Sequence, residues 1–281
     1  MAFGGRRVVS FESRRAAEMA SLIERQGGIA VRAPTVREVP LADDSEATAF
    51  ARGLATGAFD FVVLMTGVGT RALVKAMAAE MDREAFGRAL SAPRPVVVAR
   101  GPKPAVALRE LGVTGFLSVP EPNTWREVVT VLEGAGLARD GRVAIQEYGA
   151  PGRELEAALA ARGAVVMTIP VYRWALPEDT APLRDALRAI AQGEIAVALF
   201  TSRVQVEHAL HVAREEGVEE AVRAHLAKGC VASIGPVCTE GLRAEGIEVD
   251  LEPTHPKMGQ LVKETAERAE SVLETKRGYS S

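Results

Sequence analysis

Short, continuous runs of apolar residues recur along the chain and alternate with amphipathic stretches. Such runs are typical of parallel strands that are covered on both faces, because neither face needs polar residues. They fall at residues 8–11, 61–65, 95–99, 143–146, 165–169, 195–200 and 230–234. Between them, apolar residues three and four apart, such as Met19, Leu22 and Ile23, predict helices. The pattern therefore predicts an α/β fold with open, doubly wound parallel sheets.

The sequence also repeats itself over a long distance. Three sets of matched positions lie 134–136 residues apart: Thr66 with Thr201, Gly101-Pro102 with Gly235-Pro236, and Pro34 with Pro170. This period is far too long for a solenoid, so it indicates two copies of one domain.

The matched prolines lie in segments 32–40 and 168–177, which mix polar and apolar residues. We expect both segments to be extended crossovers between the domains, so that one domain is discontinuous. The expected first domain is residues 1–37 with 174–265, and the second is 41–167. Residues 34–40 and 168–173 are the expected linker. Residues 266–281 are the expected C-terminal tail, which continues a charged helix and frays into polar residues.

Candidate chemistry lies in the loops that follow the strands. Ligands of open parallel sheets bind beyond the carboxyl ends of the strands. Each loop leads into a helix whose first N–H groups are unpaired and attract anions. The loop TGVGT at 66–70 lacks both the third glycine of a dinucleotide fingerprint and the lysine of a Walker loop. The loops therefore favour a site for several negative groups over a nucleotide enzyme.

Composition excludes several functional classes. A net charge of −3 over 281 residues gives no attraction to nucleic acid or to an anionic membrane. No apolar run reaches membrane-spanning length, and we expect no secretory signal, because no long apolar region follows the two arginines near the start. Cys230 and Cys238 predict neither a disulfide framework nor a zinc site, and His208 with His211 lack a third metal ligand. We expect a cytoplasmic protein without a metal.

Four features, in order along the chain, resemble uroporphyrinogen-III synthases. They are the duplication with its crossover linkers, IPVYRW at 169–174, FTSRVQVEHAL at 200–210, and SIGPVCTEGLRAEGIEV at 233–249. The resemblance implies two flavodoxin-like domains joined by a two-stranded linker, and a reaction in the cleft between them. In that reaction hydroxymethylbilane loses its hydroxyl, the last pyrrole ring is inverted, and the macrocycle closes as uroporphyrinogen III. No cofactor is implied.

The resemblance also implies two catalytic residues. Tyr172 stands where the family has its candidate for assisting departure of the hydroxyl, and a phenol can donate a hydrogen bond without charge. Thr239 matches the threonine of the family's Gly-Pro-x-x-Thr turn. Each has a structural alternative, because Tyr172 could pack against a domain edge and Thr239 could simply cap the next helix. Pro104 stands where the first copy often has threonine.

The expected substrate-binding residues share a position at a strand end or in the loop after it. They are Ser10, Arg14, Thr66, Gly67, Arg71, Arg100, Gly101, Lys103, Thr201, Ser202, Arg203, Gly235, Pro236, Val237 and Cys238. The implied substrate carries several carboxylates, so we expect backbone amides of loops 66–70, 101–104, 201–205 and 235–239 to hold it. The basic side chains among them would give the entrance of the binding site a positive charge. The alternative is that they are ordinary solvated surface residues.

The implied partner is the tetrapyrrole hydroxymethylbilane, with a transient handover from the preceding pathway enzyme. We expect a monomer that binds neither nucleic acid nor membrane. A non-enzymatic two-domain ligand-binding or sensor module remains the alternative, because such proteins share the architecture. Formation of the type III isomer from hydroxymethylbilane distinguishes the two.

Overall fold

A computed structural model describes residues 3–147, 149 and 152–278. The chain divides into two compact units. Unit 1 comprises Met1–Arg37 and Ala175–Ser281, and unit 2 comprises Glu38–Trp174. Unit 1 is therefore discontinuous in sequence. Among the described residues, no helix is both long and apolar enough to span a membrane.

Unit 1 is built around one parallel sheet. Its strands are β1 (Arg7–Ser10), β2 (Ile29–Arg32), β10 (Val197–Phe200) and β11 (Cys230–Ser233). They pair in the order β2-β1-β10-β11. Its helices are α1 (Ala16–Arg25), α8 (Ala181–Ala191), α9 (Arg203–Glu215), α10 (Glu219–Lys228), α11 (Pro236–Ala244) and α12 (Met258–Gly278).

Helices cover both faces of this sheet. Val8 and Val9 are neighbours on β1 and both are fully buried. Val9 packs in a core with α8, α9, α10 and α11, whereas Val8 packs in a second core with α1 and α12. Because adjacent residues of a strand point to opposite faces, a strand covered on both sides must be apolar throughout. This explains the continuous apolar runs of the sequence.

The end of the chain differs from the predicted tail. Helix α12 continues through residue 266 as far as Gly278. Ala266, Ala269 and Leu273 are buried against α1 and the sheet, with at most 4 % of their surface exposed. Their spacing of three and four residues makes one apolar stripe, which the many charges of this segment conceal. The segment forms the helix that the sequence predicted, but up to Gly278 it packs on unit 1 and is not a separate tail from residue 266.

Unit 2 is built around a second parallel sheet. Its strands are β4 (Phe61–Leu64), β5 (Val96–Ala99), β6 (Phe116–Ser118), β7 (Arg142–Gln146) and β8 (Val165–Ile169). They pair in the order β6-β5-β4-β7-β8. Its helices are α2 (Ser45–Ala55), α3 (Gly67–Ala76), α4 (Arg83–Leu90), α5 (Pro102–Glu110), α6 (Trp125–Gly134) and α7 (Arg153–Ala160).

The two sheets have the same strand order when they are matched through the repeat. β1 corresponds to β7, β2 to β8, β10 to β4, and β11 to β5, so the order β2-β1-β10-β11 matches β8-β7-β4-β5. This is the flavodoxin-like order, in which the chain reverses direction across the sheet after the second strand. The prediction of two similar doubly wound parallel sheets is confirmed.

The chain passes between the units through two extended segments. β3 (Arg37–Pro40) and β9 (Tyr172–Ala175) form a two-stranded sheet of their own. The predicted two-stranded linker is thus present. Within unit 1, the hydroxyl of Ser13 accepts the N–H groups of Thr35 and Val36, each at 3.0 Å, and so anchors the chain just before β3.

Candidate functional site

The N-terminus of α3 lies beyond the carboxyl end of β4, and Thr66 is its N-cap residue. Thr66 is extended, with φ −145° and ψ 149°, and its hydroxyl accepts the N–H of Gly69 at 2.9 Å. Within the described part of the chain, the N–H groups of Gly67 and Val68 meet no acceptor. The helix therefore presents free donors and a partial positive charge at this edge of the sheet.

Tyr172, the first residue of β9, lies beside this helix N-terminus. Its phenol oxygen is 3.3 Å from the hydroxyl oxygen of Thr66. The ring is 4 % exposed and packs edge-on against Trp174, with ring centroids 5.3 Å apart. Gly149 has φ 89°, and a Cβ there would lie 2.6 Å from both rings. A glycine is required for the loop after β7 to approach the two rings this closely.

Gln146, the last residue of β7, forms a hydrogen bond to the backbone of Thr66. Its side chain is fully buried. The amide oxygen accepts the Thr66 N–H at 3.2 Å, and the amide nitrogen donates to the carbonyl of Glu147. Both ends of the amide are therefore satisfied, as a buried polar group requires.

Glu147 carries the strongly shifted carboxyl of this region. Burial raises its pKa to about 7, the nearby carboxylate of Glu156 adds to the shift, and a hydrogen bond from the Gly152 backbone opposes it. The side chain faces a small cavity lined by apolar residues such as Met65 and Leu155. A carboxyl of this kind changes protonation near neutral pH.

The helix that follows β5 supplies a second, different N-terminus. Gly101 is the N-cap of α5, with φ 86°, and its position leaves room for the side chain of Asn123. Arg100 donates from Nε to the Asn123 carbonyl at 2.6 Å. The Lys103 carbonyl lies close to α3, because a Cβ at Gly67 would be 2.6 Å from that oxygen. Lys103 itself is exposed.

Two of the expected basic residues form ion pairs. Arg71 donates twice to Glu110, at 2.8 and 2.6 Å, and this guanidinium lowers the pKa of the Glu110 carboxyl. Arg203 donates to Glu207 at 3.0 Å. Arg14 lies on the surface. Arg71 and Arg203 thus contribute little net charge of their own to a positive entrance of the binding site.

In unit 1 the counterpart of Thr66 is enclosed by the chain's own polar groups. Thr201 donates its N–H to the Gln205 amide oxygen at 2.7 Å and its hydroxyl to Glu12 at 2.6 Å. Glu12 also accepts the Arg15 N–H at 3.2 Å, so one carboxylate joins the starts of two helices. Ser202 is the N-cap of α9 but makes no capping bond with its side chain. Ser10 is buried, and its hydroxyl accepts the backbone N–H of Glu12.

The Gly-Pro turn before α11 places its residues differently from expectation. Gly235 is the N-cap and Pro236 the first helical residue, so Thr239 lies within α11 and does not cap it. The Thr239 hydroxyl is bonded to Ser233 and Glu252, and the residue is 6 % exposed. Thr239 is therefore placed to stabilise the turn from inside unit 1.

The side chains next to Thr239 in this turn are buried or half-buried as well. Cys238 is buried, and burial raises the pKa of its thiol to about 12, so it is not a reactive nucleophile. Val237 is half-buried. No cluster of three or more potential metal ligands occurs in the residues that the structure covers.

The structure brings Thr66, Gly67 and Tyr172 together at one helix N-terminus, and it assigns Thr239 to the other unit. Four further polar residues at these helix starts carry no motif in the sequence: Gln146, Gln205, Glu12 and Glu147. The repeat could have identified the two glutamates, because they lie 135 positions apart, like Thr66 and Thr201. The two glutamines are not matched in this way, and only the folded chain shows their roles.

Comparison with known proteins gives a consistent result. The uncharacterized protein YjjA of Bacillus subtilis (strain 168) is 31 % identical over 264 residues, which cover 93 % of this chain and 95 % of YjjA. A crystal structure of a mutant uroporphyrinogen III synthase from Thermus thermophilus superposes with a TM-score of 0.71 and 25 % identity, covering 96 % of this chain and all of that one. The Helicobacter pylori uroporphyrinogen-III synthetase shares the fold, with a TM-score of 0.51 at 14 % identity over 92 % of this chain and 98 % of its own.

The family comparison extends over most of the sequence. The sequence profile described as uroporphyrinogen-III synthase HemD matches residues 17–263, which include both sheets except for β1. Together with the strand order, this shows that the chain belongs to the uroporphyrinogen-III synthase family.

Proposed function

We propose that the chain is a uroporphyrinogen-III synthase, which converts hydroxymethylbilane into uroporphyrinogen III with loss of water and inversion of the last pyrrole ring. The family match over residues 17–263 supports a cyclising hydro-lyase. The observation that carries the proposal within the chain is the pair of hydroxyls, Thr66 and Tyr172, at the N-terminus of α3. The reaction needs a neutral hydrogen-bond donor near the departing hydroxyl, and this pair provides one.

In the proposed first step, the bond between the terminal methylene carbon and its hydroxyl oxygen breaks, and both electrons go to oxygen. The oxygen takes a proton and leaves as water, and the methylene carbon becomes cationic. The Thr66 hydroxyl accepts the Gly69 N–H, and in the proposed step it donates in turn to the phenol oxygen of Tyr172, which is 3.3 Å away. The phenol, which is protonated at neutral pH, then donates its proton to the departing oxygen. Closure of the macrocycle releases a proton from the pyrrole carbon that forms the new bond, and this proton restores the phenol.

Control of geometry is the main catalytic contribution in this proposal. Spontaneous closure of the cation joins the ends without inversion, so the protein must hold the last ring while it turns over. Such a reaction needs few acid–base groups. A site of hydroxyls and backbone amides is therefore sufficient for it.

The carboxylates of the substrate are proposed to bind backbone N–H groups. Gly67 and Val68 offer such groups at the start of α3, and the turns at Gly101 and Gly235 begin two further helices. The start of α9 contributes less, because the N–H and hydroxyl of Thr201 are bound to Gln205 and Glu12.

The direct test is incubation of the purified chain with hydroxymethylbilane, followed by oxidation and chromatographic separation of the porphyrin isomers. An excess of the type III isomer over the non-enzymatic type I isomer supports the proposal. Type I isomer alone, at the rate of the reaction without protein, contradicts it and leaves a binding or sensor module.

Three finer statements belong to the same proposal. We infer that the chain acts as a monomer in the cytoplasm and receives its unstable substrate by transient contact with the enzyme that makes it. Light scattering after gel filtration tests the first statement, since a mass near 29.8 kDa is expected. A dimer mass would contradict it.

A further inference from the structure

Gln146 is a fully buried polar side chain that the proposed reaction does not use. It is the last residue of β7, and its amide bonds to two backbone groups, one before α3 and one just after β7. Its amide oxygen holds the N–H of Thr66 at 3.2 Å, and its amide nitrogen holds the carbonyl of Glu147. Because one end is an acceptor and the other a donor, these two partners allow the amide only one orientation.

The first turn of α3 is shaped to lie on this amide. A Cβ at Gly69 would overlap the side chain of Gln146. Any other residue at this position would push the turn away from β7. Gly69 also donates its N–H to the Thr66 hydroxyl, which in turn reaches the phenol of Tyr172. A continuous series of hydrogen bonds thus runs from Gln146 to Tyr172.

We propose that Gln146 is a positioning residue: its buried amide holds the Thr66–Gly69 turn in register with β7 and so fixes the hydroxyl of Thr66 against the phenol of Tyr172. The inference rests on the proposed function. Gln146 touches no reacting atom and acts only through Thr66. A displacement of about 1 Å at a reacting group can cost about a hundredfold in rate, so a residue that sets this distance affects turnover.

Unit 1 contains a matched control. Gln205 in α9 is also buried, and its amide holds Thr201 at both the N–H and the hydroxyl, each at 2.7 Å. The Thr201 hydroxyl then donates to the carboxylate of Glu12, where Thr66 meets a phenol. Loss of Gln205 therefore removes a similar buried amide from a similar helix N-terminus, but none of its bonds leads to Tyr172.

The experiment is a double-mutant cycle on turnover and isomer ratio. Gln146→Met, which keeps the length of the side chain and removes its amide, is measured in the wild-type and in the Tyr172→Phe background. We expect turnover to fall about tenfold in the wild type and less than about twofold in the Tyr172→Phe background, because the distance that Gln146 sets no longer matters there. Gln205→Met should reduce turnover by one and the same factor in both backgrounds.

Equal losses from Gln146→Met in the two backgrounds would overturn the inference and leave Gln146 with a structural role only. If Gln146→Met does not fold, Gly69→Ala, whose Cβ would push the same turn away from the Gln146 amide, takes its place in the same cycle. If the wild type forms only type I porphyrin, the proposed function fails, and the ring resonances of ¹³C-labelled Tyr172, assigned with Tyr172→Phe, give an independent result. Gln146→Met should shift them and Gln205→Met should not; unshifted resonances with Gln146→Met would contradict the positioning role.

Discussion

The hydroxyl oxygen of Thr66 lies 3.3 Å from the phenol oxygen of Tyr172, although the two residues are 106 positions apart in the chain. Thr66 caps α3, and Tyr172 begins the strand through which the chain leaves unit 2. The contact therefore joins a helix N-terminus, where an anion is favoured, to a neutral donor. The proposed reaction needs both functions close together.

Removing the phenol hydroxyl tests its proposed role directly. We expect Tyr172→Phe to keep the ring packing against Trp174 and to form the type III isomer, with turnover lowered by about one to two orders of magnitude. The inverting geometry is retained because the ring stays in place. Single-turnover rates with the isomer ratio at each time point measure this. Wild-type turnover would remove Tyr172 from the mechanism, and loss of the isomer preference would make it a positioning residue.

The two hydroxyl functions of Thr66 can be tested with a conservative pair of variants. Thr66→Val removes both the cap of α3 and the partner of Tyr172, so we expect the free energy of unfolding to fall by about 1 kcal/mol, together with a loss of turnover. Thr66→Ser keeps the hydroxyl and should preserve most of both properties. Urea denaturation and initial rates measure them. A Thr66→Val variant with the stability and turnover of the wild type would contradict both roles of the hydroxyl, because valine keeps the methyl group and lacks only the oxygen.

The sequence was sufficient to predict the repeat, the two parallel sheets and the linker, because buried parallel strands must be apolar on both faces and such runs are visible in one dimension. It also indicated two candidate site residues, Thr66 through the pattern of the TGVGT loop and Tyr172 through the family resemblance. Gln146 could not be predicted in this way. A single glutamine at the end of an apolar run gives no periodic signal, and its partners Thr66 and Gly69 lie about eighty positions away in the chain.

For the C-terminal helix, the sequence does contain the signal that predicts packing. It is a stripe of apolar residues, and the charges around it conceal it. Six of the fifteen residues after 266 are charged, and a high share of charge is typical of a solvated tail. Three apolar or small residues at helical spacing are enough to bury one side of the helix, and the charges then occupy the other side. Net composition of a segment is therefore a poorer guide than the positions of its few apolar residues.

Stability should depend on pH through Glu147. Burial raises its folded-state pKa to about 7, so the folded chain holds a proton that the unfolded chain releases near pH 4. The bound proton therefore favours the folded chain. Its contribution to stability is fully present below about pH 4 and is lost as the pH rises through about 7. Because the carboxyl is only half-buried, we expect Glu147→Gln to be more stable than wild type at pH 8 by about 1 kcal/mol, with no difference near pH 4. Urea denaturation across this range measures the effect, and a difference independent of pH would contradict it.

Both cysteines should be unreactive in the folded protein. Burial raises the pKa of each thiol to about 12, and the thiolate is the form that reacts with alkylating agents. At pH 8 we expect iodoacetamide to leave Cys230 and Cys238 unmodified in the native chain and to modify both in denaturant, as read by intact mass. Rapid addition of one label to the native chain would contradict this prediction, and mass spectrometry of the digested chain would identify the exposed thiol.

The last prediction concerns α12, whose packing decides whether the end of unit 1 is part of the fold. Leu273 is 4 % exposed and lies in the core formed by β1, β10, β11 and α1. Replacing it with alanine removes buried methyl groups and leaves a cavity, so we expect Leu273→Ala to lower the free energy of unfolding by about 2–4 kcal/mol. Glu274→Ala, at the adjacent exposed position, is the matched control and should change it by less than about 0.5 kcal/mol. Hydrogen exchange followed by mass spectrometry provides the local measurement: wild-type amides of residues 261–275 should be protected, and Leu273→Ala should expose those near its site first. Exchange of the whole segment within seconds in the wild type, with no loss of stability in Leu273→Ala, would mean that the helix does not dock on the sheet in solution.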